Sequence, residues 1–322
     1  MFDTKFNQVI ESVRRSALLS LTVQNASGRE KDDKSPVTVA DYAVQATVTS
    51  CLRELDPNTP LVAEEEAQHL SQDEELCQEV LSVAQRELPN LTKTELQSLI
   101  GYSSHKTTQK FWTLDPIDGT KGFLRGANYA IALGLVEDNI VISGVLACPK
   151  LKVQGHEGVL LAAQRDGGCW IQDLDGKTEW AKVQVSSVDK PKNARILHSY
   201  EATHTNLPEI TALREHLGIE VDGIGLDSQA KYALLAAGEG ELIFRLPHPK
   251  KPNYKEKIWD HAAGLMCLHE AGGKITDMNG TDLDLSQGYS FLKNTGILAS
   301  NGKLHSVAVS GLQAIHSQAA AH

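Results

Sequence analysis

The chain has 322 residues, of which 41% are hydrophobic and 22% charged, a composition typical of a globular protein with a large core. Lys and Arg total 31 against 41 Asp and Glu, and the resulting formal charge of -10 argues against binding nucleic acid or an anionic membrane through bulk charge. The cysteines are far apart and form no Cys-x-x-Cys pair, which predicts a reducing compartment. The sequence starts with polar residues and has no long apolar run, so we expect a cytoplasmic protein that does not engage a membrane.

The first half begins with helices and continues with strands. Apolar residues at helical spacing predict helices over residues 4–22, from after 38 to about 55, 72–88 and 93–100, and a charged stretch at 26–35 predicts an exposed loop. A short strand is predicted at 61–63. Strands at 130–136, 140–147 and 158–163, with a turn at 137–139, predict an antiparallel meander, which strands at 168–172 and 181–185 extend.

A polar stretch at 186–193 predicts the boundary between an N-terminal α+β domain, residues 1–188, and a C-terminal α/β domain, residues 189–322. Beyond it strands and helices alternate, as in α/β proteins. The predicted strands are 195–199, 223–226, 241–246, 274–277 and 296–300, and the predicted helices are 208–217, 228–237, 259–271 and a last one.

The most informative segment, WTLDPIDGT at residues 112–120, places two carboxylates three residues apart and follows them with a glycine and a hydroxyl. The apolar residues before Asp115 indicate a buried strand that ends at Pro116, because proline cannot donate to a sheet ladder. In such a turn Asp115, the carbonyl of Ile117 and Asp118 converge, and hard oxygens are the ligands that Mg²⁺ prefers. The glycine and the amides after it can open a phosphate-binding helix. Taken alone, the segment also fits an ordinary Asp-Pro turn.

Three other segments supply carboxylates. Asp41 lies near a helix start, where a helix dipole by itself favours an acid. Glu64 follows an apolar strand, although a run of three glutamates also fits a solvated face. Asp260 opens an apolar helix that is expected to be buried, so the carboxylate needs a metal or the helix amides as a partner. His261 fits a packed histidine better than a ligand, because magnesium avoids imidazole.

Together, three ordered motifs resemble the inositol monophosphatase-like superfamily of lithium-sensitive, magnesium-dependent phosphatases. They are VAEE at 62–65, DPIDGT at 115–120 and WDHAAG at 259–264. The resemblance covers most of the chain and implies a layered αβαβα sandwich. Finer segments resemble one branch of that superfamily, the 3'(2'),5'-bisphosphate nucleotidases. These segments are GTKGFLRG at 119–126, DSQAKY at 227–232 and YKEKIWD at 254–260.

The resemblance implies metal ligands and catalytic groups. The implied ligands of two or three Mg²⁺ ions are Glu64, Asp115, the carbonyl of Ile117, Asp118 and Asp260. By the same pattern Asp41 and Thr120 hydrogen-bond and activate the attacking water. This is chemically reasonable, because a hydroxyl is a weak base at neutral pH but Asp41 can accept its proton.

The resemblance also implies substrate contacts. The amides of Gly119 and Thr120 and the side chains of Ser228 and Lys231 would bind substrate, with Arg245 near the second phosphate and His204 near the adenine. Lys231 and Arg245 also fit ordinary surface cations. The family often has a second histidine three residues after His204, where this chain has Leu207, so the adenine pocket is expected to differ.

The leading hypothesis is therefore a magnesium-dependent phosphomonoesterase that converts adenosine 3',5'-bisphosphate to AMP and phosphate, and that extends to the sulfated form, 3'-phosphoadenosine 5'-phosphosulfate. The predicted partner of the protein is this small nucleotide bisphosphate, and the protein is predicted to be a monomer. The family resemblance also implies inhibition by lithium. One alternative is an inositol polyphosphate 1-phosphatase acting on inositol 1,4-bisphosphate. The other is a protein that binds the nucleotide bisphosphate without turning it over.

Overall fold

A computed structural model describes residues 1–24, 28–30, 36–200 and 205–320, with only the backbone described at 30, 36 and 318–320. The helices of the first half are α1 Thr4–Leu21, α2 Val39–Leu55, α3 Ala67–Gln72, α4 Glu74–Ala84, α5 Lys93–Ile100 and α6 Thr120–Leu124. Its strands are β1 Arg29–Glu30, β2 Pro36–Val37, β3 Leu61–Ala63, β4 Lys110–Asp118, β5 Ala130–Glu137, β6 Ile140–Val153, β7 His156–Gln164, β8 Gly168–Asp173 and β9 Ala181–Val183.

The second half alternates strands and helices, as its sequence pattern predicts. After a 3-10 turn at Pro191–Asn193, the elements are β10 Ile196–His198, α7 Leu207–Leu217, β11 Ile224–Gly225, α8 Ala230–Ala236, β12 Leu242–Arg245, α9 Ala262–Glu270, β13 Lys274–Thr276, β14 Ile297–Ser300 and α10 His305–Ala320. Among the described residues, no helix combines the length and apolar character needed to cross a membrane.

Two main sheets form. The larger has the strand order β3-β4-β5-β6-β7-β8-β9, antiparallel throughout except for the parallel pair β3 and β4. The predicted meander is therefore confirmed. The smaller sheet has the order β11-β10-β12-β14-β13, with β10 parallel to both of its neighbours and β14 antiparallel to both of its own.

Alternating side chains of the strands define the layers, because successive residues of a strand point to opposite faces of its sheet. In β5, Ile131 packs in a core with helices α1 and α2, whereas Ala132 packs in a second core with α8 and α9. Ile243 of the smaller sheet joins that second core, and its neighbour Leu242 packs with α7 and α10. The layers follow the order αβαβα, as the family resemblance implies.

Local departures from the predicted elements have physical causes. The helix predicted at 72–88 is confirmed as α4 but is shorter, because Asp73 is extended and its side chain caps α4 by accepting from the Leu76 amide. Helix α3, just before it, was not predicted. Most of the loop predicted at 26–35 lies outside the described residues. Its described part contains strand β1, which pairs antiparallel with β2 just after the loop. One core contains residues from both halves, and the domain division at residue 188 stays a prediction.

Candidate active site

A cleft of about 680 Å³ brings most of the predicted site residues together. The predicted residues that line it are Glu64, Asp115, Ile117, Asp118, Gly119, Thr120, Ser228, Lys231, Arg245 and Asp260. Asp41 is fully buried rather than part of the lining, and the predicted adenine contact His204 lies outside the described residues. The cleft therefore joins the turn after β4 to three segments of the second half.

Strand pairing places Glu64 beside the first aspartate of the turn. Ala63 at the end of β3 pairs in parallel with Leu114 of β4, and the amide of Glu64 donates to the carbonyl of Leu114 at 3.2 Å. The next residues along the two chains are Glu64 and Asp115. The end of β3 and the adjacent position within β4 thus deliver two carboxylates to the same place.

The prediction that β4 ends at Pro116 is wrong. The strand runs to Asp118, and its register with β5 shifts between Asp115 and Asp118. A bulge tolerates a proline because the ladder is interrupted there, so no hydrogen bond is lost to the missing N–H. The irregular backbone turns the carbonyl of Ile117 towards the Thr120 hydroxyl, which donates to it at 3.1 Å.

Mutual repulsion and burial perturb these carboxylates. The pKa of Asp115 is raised by burial and by the nearby charges of Glu64, Asp118, Asp260 and Asp41, in that order. Burial likewise raises the pKa of Asp118 to about 6, and burial and Asp118 raise that of Asp260. Moreover, Asp115 Oδ1 is buried and has no hydrogen-bond partner among the described residues. Carboxylates whose charges raise one another's pKa, together with an orphaned acceptor, fit a hard divalent cation such as Mg²⁺.

Asp41 lies in the first turn of α2 and forms a capping box. Its Oδ2 accepts from the amide of Thr38 at 2.7 Å and from the Thr38 hydroxyl at 2.6 Å. Its negative charge is close enough to raise the pKa of Asp115. Asp41 is therefore a helix-capping acid and also lies near the other carboxylates. Its pairing with Thr120 stays a prediction.

The position of Asp260 differs from the predicted one. Helix α9 begins at Ala262, and a turn closed by the His261 amide and the Ile258 carbonyl at 3.1 Å precedes it. His261 has φ -139° and ψ -33°, so it is not helical and the helix cannot start earlier. Asp260 is half-buried at the cleft instead of fully buried within a helix.

A loop between β11 and α8 carries Ser228 and holds two residues that the sequence did not single out. Buried Asp227 accepts from Arg125 at 2.6 Å, which joins the GTKGFLRG segment at 119–126 to this loop. The amide of Gln229 donates to Asp118 Oδ2 at 2.5 Å, and its side chain donates to the Trp259 carbonyl at 2.8 Å. Gln229 thereby ties Asp118 to the segment that carries Asp260.

Close backbone approach explains the glycine at position 119. Gly119 has φ +87°, in the left-handed region, and a Cβ on it would lie 3.0 Å from Cβ of Ser228. A larger residue would force the two loops apart. Ser228 itself has φ +68°, a strained value for a residue other than glycine, as is common at functional sites.

Two cations of the cleft are held by different partners. Lys231 Nζ is buried and donates to the carbonyls of Ser228 at 2.8 Å and Leu226 at 3.2 Å. Burial, followed by the charge of Arg245, lowers the pKa of Lys231 to about 8. Arg245, at the end of β12, donates to Glu256 at 2.7 Å. Neither is a simple surface cation.

Three stacked rings form one wall of the cleft, and the sequence did not reveal them. Trp259 and Tyr289 lie parallel with centroids 5.5 Å apart, and His105 stacks on Trp259 at 5.3 Å. His105 comes from the first half and the other two rings from the second. Their separation in sequence left no local pattern from which this contact could be found.

The sequence profile of the inositol monophosphatase family matches residues 3–317, and the chain belongs to that family. Two relatives are more specific. The 3'(2'),5'-bisphosphate nucleotidase of Schizosaccharomyces pombe is 36% identical over 92% of this chain and 92% of its own. The 3'(2'),5'-bisphosphate nucleotidase 1 of Arabidopsis thaliana is 39% identical over 90% of this chain and 87% of its own.

Solved structures support the fold. An IMPase of Thermotoga maritima superposes with a TM-score of 0.69 at 20% identity, covering 98% of this chain and 99% of its own. An inositol monophosphatase from Anabaena gives a TM-score of 0.62 at 18% identity, covering 95% of this chain and 94% of its own. At these identities the comparisons establish the shared αβαβα architecture.

Proposed function

We propose that the protein is a magnesium-dependent phosphomonoesterase that removes the 3'-phosphate of adenosine 3',5'-bisphosphate and releases AMP. The sulfated analogue, 3'-phosphoadenosine 5'-phosphosulfate, is a second substrate of the same site. One observation carries the proposal: a carboxylate cluster around Asp115 and two held cations, Lys231 and Arg245, share one cleft. A substrate with two separate anionic groups matches that arrangement, and the printed names of the relatives agree with it.

The carboxylate cluster would hold the metal. Glu64, Asp115, the carbonyl of Ile117, Asp118 and Asp260 would bind two or three Mg²⁺ ions. Bound magnesium supplies charge neutralisation at the phosphate and lowers the pKa of water. The family membership and the orphaned Oδ1 of Asp115 support this assignment.

The chain's own groups would then orient the reaction. The Thr120 hydroxyl and Asp41 would direct a water molecule in line with the bond between phosphorus and the 3'-oxygen. A new bond forms from the water oxygen to phosphorus as that bond breaks, and a water proton passes towards Asp41. The 3'-oxygen leaves with AMP and takes up a proton from solvent to become a hydroxyl. The amides of Gly119 and Thr120 would stabilise charge on the transferred phosphate.

The second half would hold the rest of the substrate. Lys231 and Arg245 would bind the 5'-phosphate, since charge-assisted hydrogen bonds are the strong ones, and Ser228 would contact the same group. His204 stays the predicted adenine contact. A cytoplasmic location and a monomeric state complete the proposal.

The test measures phosphate release from adenosine 3',5'-bisphosphate, AMP, inositol 1-phosphate and inositol 1,4-bisphosphate. Each is assayed with magnesium, with EDTA, and with magnesium plus millimolar lithium. We expect the nucleotide bisphosphate to react fastest, in magnesium alone. Faster reaction of inositol 1,4-bisphosphate would favour the inositol polyphosphate 1-phosphatase alternative, and binding without turnover of any compound would favour a binding protein.

A further inference from the structure

Hydrogen bonds link Arg245 to a chain of three further side chains, Glu256, His261 and Tyr232. Arg245 Nη2 donates to Glu256 Oε2 at 2.7 Å, and the same oxygen lies 3.0 Å from His261 Nε2. On the far side, the Tyr232 hydroxyl lies 2.8 Å from His261 Nδ1. The chain thus runs from α8 through the turn before α9 to the end of β12.

The protonation states in this chain are mutually consistent. Burial alone would raise the pKa of Glu256, but Arg245 and His261 lower it to about 2, so Glu256 is an anion that accepts both hydrogen bonds. Because a carboxylate only accepts, the ring hydrogen of His261 lies on Nε2 and is donated to Glu256. Its Nδ1 then accepts from Tyr232, whose pKa burial raises.

Glu256 therefore fixes one edge of the Arg245 guanidinium, and this contact does not use the other N–H donors of Arg245. The buried Nε of Arg245 has no hydrogen-bond partner among the described residues. A buried donor without a partner is costly, so a ligand oxygen that accepts from it is favoured. Arg245 and Glu256 both line the cleft, as do Tyr232 and His261.

We propose that Glu256 is a positioning residue that aims Arg245 at the second phosphate and thereby makes the site select bisphosphates over monophosphates. The proposal rests on the function given above and assigns Glu256 no contact with the substrate. His261 donates to Glu256 and is itself held by the Tyr232 hydroxyl. The anionic group it serves is a phosphate or sulfate distant from the scissile bond, because Arg245 carries a fork of donors suited to such oxygens.

The chain offers a matched control, a second ion pair, next to strand β12. Arg195 donates to buried Glu241 at 2.7 Å and 3.0 Å, immediately before β12, whereas Arg245 pairs with Glu256 at the other end of that strand. Neither Arg195 nor Glu241 lines the cleft in the described part of the chain. Replacing Glu241 therefore disturbs a comparable ion pair without touching the site.

The experiment compares Glu256→Gln with Glu241→Gln on adenosine 3',5'-bisphosphate and adenosine 3'-monophosphate, with magnesium present. We expect Glu256→Gln to lower the ratio of kcat/KM for the bisphosphate to kcat/KM for the monophosphate about tenfold, through a higher KM for the bisphosphate. A tenfold change corresponds to the loss of about one charge-assisted hydrogen bond. Arg245→Met should lower the ratio at least as far, and adding Glu256→Gln to it should lower the ratio little more. Tyr232→Phe, a milder change, should shift it in the same direction, and Glu241→Gln should not.

The outcomes separate the two proposals. If the wild-type protein does not hydrolyse adenosine 3',5'-bisphosphate, the proposed function fails and this inference fails with it. If the wild-type protein is active but Glu256→Gln lowers kcat/KM equally for both substrates, as a general loss of fold would, Glu256 does not position Arg245. Additive effects of the Glu256 and Arg245 substitutions would also overturn the inference.

Discussion

Replacing Asp118 with asparagine should stabilise the protein when no metal is present. Burial raises the pKa of Asp118 to about 6 from an ordinary 3.8, and the charge of Glu64 adds to this effect. The difference of about two pKa units corresponds to roughly 3 kcal/mol of unfavourable ionisation at neutral pH. Asparagine removes that charge and keeps an oxygen to accept from the Gln229 amide. A net gain of about 2 kcal/mol in unfolding free energy is expected.

The sign of the pH dependence follows from the raised pKa. A carboxyl with a higher pKa in the folded state contributes stability that is present below the unfolded value, near 3.8, and lost as pH rises through about 6. The advantage of Asp118→Asn should therefore grow between these values and level off above them. Thermal unfolding with EDTA at several pH values measures this advantage, at about 1.5 °C per kcal/mol for a chain of this length.

A matched control should behave in the opposite way. Burial raises the pKa of Asp56, but hydrogen bonds from Thr59, Lys5 and Trp112 outweigh it and lower the pKa. Asp56→Asn should thus destabilise the protein at neutral pH, where Asp118→Asn stabilises it. Magnesium should raise the Tm of wild type more than that of Asp118→Asn. A metal-free Asp118→Asn variant with a lower Tm than wild type at pH 7.5 would refute this electrostatic account.

Three further predictions concern activity. Thr120→Ala should lower kcat by about 10²-fold or more while Tm still rises with magnesium, because the role proposed for the hydroxyl is to orient water rather than metal; full activity would contradict that role. The KM for adenosine 3',5'-bisphosphate should rise above pH 8 as Lys231, with a pKa of about 8, loses the charge proposed to bind phosphate, and Lys231→Met should give a high, flat profile instead. Arg125→Ala should raise KM and cost about 1–3 kcal/mol in a denaturant titration, since buried Asp227 loses its arginine; an unchanged KM would show that this pair does not support the loop.

Local sequence was sufficient for the parts of the site that lie on one segment. Residues close together in the chain were enough to predict Asp115 and Asp118 in one segment, and the strand that ends before Glu64. They were also enough to predict the alternation of strands and helices in the second half. The bulge at Pro116 was not predictable in this way, because its geometry depends on pairing with β5. Similarly, the half-buried position of Asp260 depends on a turn that a helical pattern concealed.

Contacts between distant segments were the least predictable. The Arg125–Asp227 pair joins residues 102 positions apart, and Gln229 reaches both Asp118 and the segment before α9. Their segments drew attention through the family resemblance, but no spacing rule indicates which side chains meet. Glu256 lay within such a segment without a role until the fold placed Arg245 beside it.

The identity of the product tests the central claim most directly. ³¹P NMR of the reaction of adenosine 3',5'-bisphosphate with the magnesium-loaded protein distinguishes the two possible nucleotide products. If the carboxylate cluster acts on the 3'-phosphate while Lys231 and Arg245 hold the 5'-phosphate, AMP and inorganic phosphate accumulate together. Accumulation of adenosine 3'-monophosphate would mean that the substrate lies the other way round, and would contradict the account.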